Sequence, residues 1–190
     1  MSLIAMAGGA TGTGTVTLLA PVTNSDRTIT LPDETGTAVT TGSTAVVSQA
    51  MLATNVAGNG PAFGAYLAGY QSISSGSYTK VTFDTEEFDT NSNFSTSRFT
   101  PTVAGYYELN SCVSCQSAYN TLKVAIYKNG SVHKVGFNVQ TNAISGNVSS
   151  VVYANGSTDY FEIYAFFGTT QTAEPSADST YFNGSLIRSA

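Results

Sequence analysis

Positive charge is scarce in this sequence. Seven Lys and Arg stand against twelve Asp and Glu in 190 residues, and charged side chains of both signs make up only 10% of the chain. A surface that holds nucleic acid must neutralise phosphates with clustered Lys and Arg, so a net charge of -5 argues against DNA or RNA as a partner. The acids are scattered, and no run of like charge marks a tail. Long apolar runs are also missing. No window approaches the roughly 20 apolar residues that cross a bilayer. The start, "MSLIAMAGGATGTG", has neither a basic residue near Met1 nor an apolar stretch long enough for a secretion signal. The expectation is a chain assembled in a cytoplasm and not inserted in a membrane. Two cysteines are too few for a disulfide framework and suit a reducing compartment.

Residues 1 to 60 lack aromatics altogether and are built almost wholly from Gly, Ala, Thr, Ser and Val. So little large apolar surface cannot make a core of its own. Short alternating runs in "TVTLLAPV" and "RTITLPDETGTAVTTG" predict an extended β segment over 1–45 whose strands need partners from elsewhere. A linker over 46–60 follows. Residues 43–58 contain a short helical stripe of Val46, Val47, Ala50 and Met51 with Ser43 as its cap.

From Pro61 to the end, alternation with period two dominates. It predicts strands at 62–68, 78–83, 106–114, 121–128, 131–139, 147–154, 159–167 and 181–188, with a further pair around 87–99. Asn129-Gly130 is a hairpin signal, because both central residues of a type I′ turn need positive φ, and Asn155-Gly156 repeats it. Eight to ten short strands at this spacing predict an all-β sandwich or jelly roll over 61–190. In "DYFEIYAFFG" the alternate residues Phe161, Ile163, Ala165 and Phe167 face a core, leaving Tyr160, Tyr164 and Phe166 with Glu162 on the outside. An outer aromatic row calls for a cover, and a second copy of the chain is the simplest one. Tyr160, Tyr164 and Phe166 are therefore the expected subunit contact of a homo-oligomer.

Residues with chemistry to offer are few. Cys112 and Cys115 form a C-x-x-C, yet residues three apart in a strand point to opposite faces with Cα atoms about 10 Å apart, beyond the roughly 7 Å a disulfide spans. They read as separate thiols, Cys115 in the core with Tyr107, Leu109 and Val113, and Cys112 facing away. A zinc site would need two more ligands, and His133 is the one histidine in the chain. Any Ser-His-Asp or Cys-His mechanism would run through that residue, which sits just after a hairpin turn beside Lys134 with no oriented partner in view. Asp84, Glu86, Glu87 and Asp89 offer carboxylates for calcium or for glycoside hydrolysis, or else form a solvated acidic loop between Phe83 and Phe94. No metal, cofactor or catalytic residue is assigned from these groups. The Asn-x-Ser sequons at Asn93, Asn129, Asn147, Asn155 and Asn183 matter only in a secretory pathway. The polar stretch 168–181 reads as a long loop able to join a recognition rim.

"PAFGAYL" at 61–67, then Phe83, Asp89, Phe94, Phe99, Gly105 and Tyr107, then "YFNGSLI" at 181–187, resemble the globular head of complement C1q and its tumour-necrosis-factor-like relatives. The resemblance implies a ten-stranded jelly roll assembled as a tight trimer. No Gly-X-Y stalk precedes it. Instead "GTVTLLAPVTNSDRTITLPDETGTAVTTGS" at 14–43 resembles a segment of bacteriophage tail-fibre and related virion proteins. Together they imply a non-enzymatic phage protein, made in the bacterial cytoplasm and carried on the virion surface. It would be the trimeric knob of a tail fibre, held to other virion proteins by its N-terminal segment and attaching to a host cell-surface glycan or protein. A capsid decoration protein is the alternative, favoured by a chain that starts at Met1 with no length for a shaft. A glycan-degrading enzyme is a distant third.

Overall fold

The fold comes from a computed structural model that describes residues 52, 53, 56, 58–119, 121–136 and 143–190. The attachment segment at 1–45, most of the 46–60 linker with its helical stripe, and the end of the strand expected at 131–139 lie outside the described residues. Every element among the described residues is a strand: β1 (Ala62–Tyr66), β2 (Gln71–Ile73), β3 (Tyr78–Lys80), β4 (Thr85–Asp89), β5 (Phe94–Ser95), β6 (Arg98–Phe99), β7 (Ala104–Tyr119), β8 (Leu122–Lys128), β9 (Ser131–Val135), β10 (Ala143–Asn155), β11 (Phe161–Phe167), β12 (Gln171–Ala173) and β13 (Tyr181–Ser189). Thirteen strands stand where ten were expected, because β2 and β12 are added and the pair expected around 87–99 becomes three, β4, β5 and β6.

These strands build two antiparallel sheets. In the first, β2, β12, β7, β13, β1 and β4 lie side by side, and β10 pairs along β7. The second runs β5, β6, β11, β8, β9, with β3 also on β11. The long β7 is the spine of the first sheet: β10 follows it from Ala104 to Tyr119, while β13 and then β12 share its other edge. Strict alternation turns Tyr107, Leu109, Val113 and Cys115 inward from β7, and Phe161, Ile163, Ala165 and Phe167 inward from β11. Ser111 shares the inward parity and satisfies its hydroxyl by donating to Tyr181 O at 2.7 Å. At the centre, Phe63 stacks on Phe94 and Phe99 with ring centroids 5.0 and 4.3 Å away and meets Phe182 edge-on at 4.8 Å.

Two turns test the Asn-Gly signals differently. Asn129 and Gly130 have φ of 53° and 79° and close the β8–β9 hairpin as expected. Asn155-Gly156 is no hairpin, since β10 pairs with β7 and β11 with β8, so the chain changes sheets there. What holds this corner is polar. Asn155 Oδ1 accepts from the backbone N–H groups of Ser157, Thr158 and Asp159, and Asp159 accepts from Asn155 N. Gly105 has a different reason to be glycine: a Cβ there would lie 2.5 Å from the Arg188 carbonyl oxygen, beside the register shift where β13 pairs with β7.

Candidate functional site

Any binding by this head must use a sheet face or an edge, and the two outer faces differ in kind. On the second sheet, Tyr160, Tyr164 and Phe166 point outward as expected and are half-buried. Pairing brings Tyr78 opposite Phe166 and Tyr127 opposite Glu162, adding rings from β3 and β8. Tyr127 stacks on Tyr164 at 3.8 Å, and Tyr78 sits 5.8 Å from Tyr127 and 5.5 Å from Phe166. The Arg98 guanidinium lies 3.9 Å over the Tyr160 ring, and the Lys123 ammonium 5.4 Å from that of Phe166.

Beneath these rings Glu162 is only 2% exposed. Its Oε1 accepts from Lys80 Nζ at 2.7 Å and Arg98 Nε at 2.9 Å. Burial alone would raise this carboxyl, but the hydrogen bonds and charges of Lys80 and Arg98 outweigh it and hold the group below its ordinary value. A depressed carboxyl stabilises the fold fully above the ordinary value of 4.5 and loses that contribution as pH falls through the folded value. Glu162→Gln is therefore expected to cost about 1 to 2 kcal/mol near neutrality, modest because Lys80 and Arg98 are partly exposed. Its melting temperature should also fall less steeply below pH 4.5 than that of the parent. Parallel acid limbs in thermal melts of the two proteins would reject the network's part in stability. The hairpin that delivers Arg98 is tight: Thr96 and Ser97 join β5 to β6 with φ of 50° and 57°, a conformation costly for a β-branched residue. The Thr96 carbonyl accepts from Lys80 at 2.9 Å.

The first sheet presents the larger exposed apolar surface. Tyr106 of β7, Val151 and Tyr153 of β10 and Ile187 of β13 are 45, 53, 44 and 43% exposed. Tyr106 lies opposite Tyr153 with their rings 5.6 Å apart. Val151, Tyr106 and Ile187 line a shallow groove of about 570 Å³ that ends at Arg188 and Ala190. Toward the other end the same face becomes polar, with Asn110, Asn147, Ser149 and Asn183 around a second hollow. This apolar row is not among the residues the sequence pointed to.

The remaining groups do not converge. Cys115 is buried and donates to Ser117 O at 3.0 Å, while Cys112 is half-buried on the opposite face, its thiol pushed up by burial. No disulfide joins them. His133 is exposed on the edge strand β9, where burial first and then Lys134 and Lys128 hold its pKa below the ordinary value. The acidic stretch between Phe83 and Phe94 is a strand, β4, rather than a loop throughout. Asp84 and Asp89 hold its two ends, accepting from Ala68 N and Phe94 N at 2.7 Å each. Among the described residues no group of three or more His, Cys, Asp or Glu side chains comes together as a metal site. The stretch 168–181 is less open than expected, because β12 within it pairs with β2 and meets β7 at Cys115.

Two antiparallel sheets in this order around one aromatic core define a jelly roll of the C1q and tumour-necrosis-factor type, as the sequence resemblance implied. Solved structures agree. The globular domain of zebrafish complement 1qA protein matches with a TM-score of 0.50 at 20% identity, covering 68% of this chain and 98% of its own. Murine APRIL matches with a TM-score of 0.54 at 11% identity over 67% of this chain and 98% of its own. A weaker likeness, with a TM-score of 0.48 at 12% identity, joins 67% of this chain to 97% of PRD1 vertex protein P5. At these identities the likeness is one of fold. No family's sequence pattern matches the chain, and no curated protein does.

Proposed function

We propose that the chain is a bacteriophage virion protein, made in the bacterial cytoplasm and carried on the particle surface as the homotrimeric knob of a tail fibre that attaches to the host. The observation that carries this reading is the union of a C1q-like head with a segment at 14–43 that resembles tail-fibre proteins. In this reading residues 1–45 grip other virion proteins and the head faces outward. The exposed row of Tyr106, Val151, Tyr153 and Ile187 supplies the subunit contact. It is preferred over Tyr160, Tyr164 and Phe166, which already pack against cations and rings of their own chain. Three weak sites on a rigid trimer, repeated over several fibres, give avidity without any tight single contact, and no reacting group is required.

The test is immunogold electron microscopy of phage particles with an antibody to residues 61–190. Gold at the tail or fibre tips is the expected outcome. Gold spread over the head would replace attachment by capsid decoration, and bare particles of a phage that makes the protein would remove it from the virion.

A further inference from the structure

Charge in the head is divided between the two sheets. Of the six Lys and Arg in residues 61–190, five lie in strands of the second sheet: Lys80, Arg98, Lys123, Lys128 and Lys134. The first sheet holds Glu86, Glu87, Asp89 and Glu108, with Arg188 its lone cation. Only Glu162 and the adjoining Asp159 oppose the five cations. Glu162 is shared by Lys80 and Arg98, and Asp159 is taken by Lys128 at 2.8 Å. Among the described residues, Lys123 and Lys134 make no ion pair. Lys128 and Lys134 lie opposite the inward-facing Phe161 and Ile126, so on the outward side Lys80, Arg98 and Lys123 stand against Glu162 alone, and a chain of net charge -5 carries a locally positive face there.

On that same face lie the half-buried rings of Phe166, Tyr78, Tyr127 and Tyr164, each within 5.8 Å of the next. Ring faces are electron-rich and attract the weakly positive C–H groups of an apposed ligand, which a pyranose supplies along its axial sides. Burial pushes the Tyr78, Tyr127 and Tyr164 hydroxyls up, so they stay neutral donors at ordinary pH. Cations beside such a platform select a sugar that bears carboxylate. A nucleic acid fits less well, because it needs a continuous basic track.

From these observations we infer that the outer face of the second sheet binds an anionic saccharide chain, with Tyr127, Tyr164, Phe166 and Tyr78 as the platform and Lys123 as the principal cation. The inference rests on the attachment reading and names its ligand class. It also requires the second sheet to stay clear of the subunit contact, as the first-sheet interface leaves it.

The test uses the full chain and calorimetric titration with three probes: polygalacturonate oligomers, neutral dextran and poly-glutamate of matched charge. Binding is expected for polygalacturonate alone, weakening as salt screens the charges. Lys123→Glu and Tyr127→Ala should each weaken it about tenfold or more, whereas Tyr127→Phe, which keeps the ring, should bind nearly as the parent does. Melting curves confirm that each variant is folded. Absent binding to polygalacturonate, equal binding to dextran or poly-glutamate, or full binding by both disrupting variants would each overturn the site. Those results leave the virion assignment standing, since gold labelling tests it separately. Unlabelled particles with intact sugar binding would do the reverse.

Discussion

Phe63→Ala is expected to remove about 4 kcal/mol from the stability of the head, a large share of the roughly 5 to 15 kcal/mol that holds a domain folded. Phe63 is wholly buried in β1, with two rings stacked on it and a third at its edge. Phe94 and Phe99 come from the second sheet and Phe182 from the first, so this one ring ties the layers together. Truncation leaves a cavity between rigid neighbours that cannot collapse, because Phe94 and Phe99 are held by the short β5–β6 hairpin. Denaturant unfolding gives the value as a shift in midpoint at unchanged slope. Phe88→Ala is the control: that ring is 51% exposed, and its loss should shift stability by no more than about 0.5 kcal/mol. A Phe63→Ala cost as small as the control's would mean that the three-ring cluster does not organise the core.

What the sequence made legible was the part of the structure written within single strands. Residues 159–167 announce both their faces, and the inward set of Phe161, Ile163, Ala165 and Phe167 is wholly buried. Cys112 and Cys115 fall on opposite faces for the same reason. The short strands β2 and β12 leave no such mark: "QSI" and "QTA" have one buried residue apiece, Ile73 and Ala173, and pairing with each other and, for β12, with β7 makes them strands. The corner at Asn155-Gly156 was misread because the dipeptide reports a chain reversal and not which sheet receives the next strand. The apolar row of the first sheet failed for a related reason. Val151 and Tyr153 are neighbours on β10, but Tyr106 and Ile187 come from two other strands, and the row assembles only once β7, β10 and β13 are in register. Tyr160, Tyr164 and Phe166 were visible because they fall within seven consecutive residues at and just before β11. The division of charge between the sheets was hidden likewise, since lysines far apart in sequence meet only through β3, β6, β8, β9 and β11.

In the proposed homotrimer, Val151→Lys is expected to release single chains while leaving each chain folded. Val151 is 53% exposed, so a lysine there keeps its ammonium in water as long as the chain is alone. In a trimer closed over Tyr106, Val151, Tyr153 and Ile187 the same substitution acts once per subunit. It gives up the burial of a valine, about 1.5 kcal/mol or more each time, and sets three ammonium groups against apolar surface without partners. Together these should weaken association by about a thousandfold or more, which light scattering reads as a fall to the mass of one chain. The melting temperature should drop and lose its dependence on protein concentration. Phe166→Lys supplies the opposing case, for it lies at the platform of the second sheet beside Lys123 and Tyr78. With the contact on the first sheet, Phe166→Lys keeps the assembly and impairs sugar binding. Were Phe166→Lys to dissociate the protein and Val151→Lys to leave it whole, the subunits would meet through Tyr160, Tyr164 and Phe166. The cationic aromatic face would then be buried between copies, and the first sheet, with its acids and its exposed tyrosines, would be the surface turned toward the host.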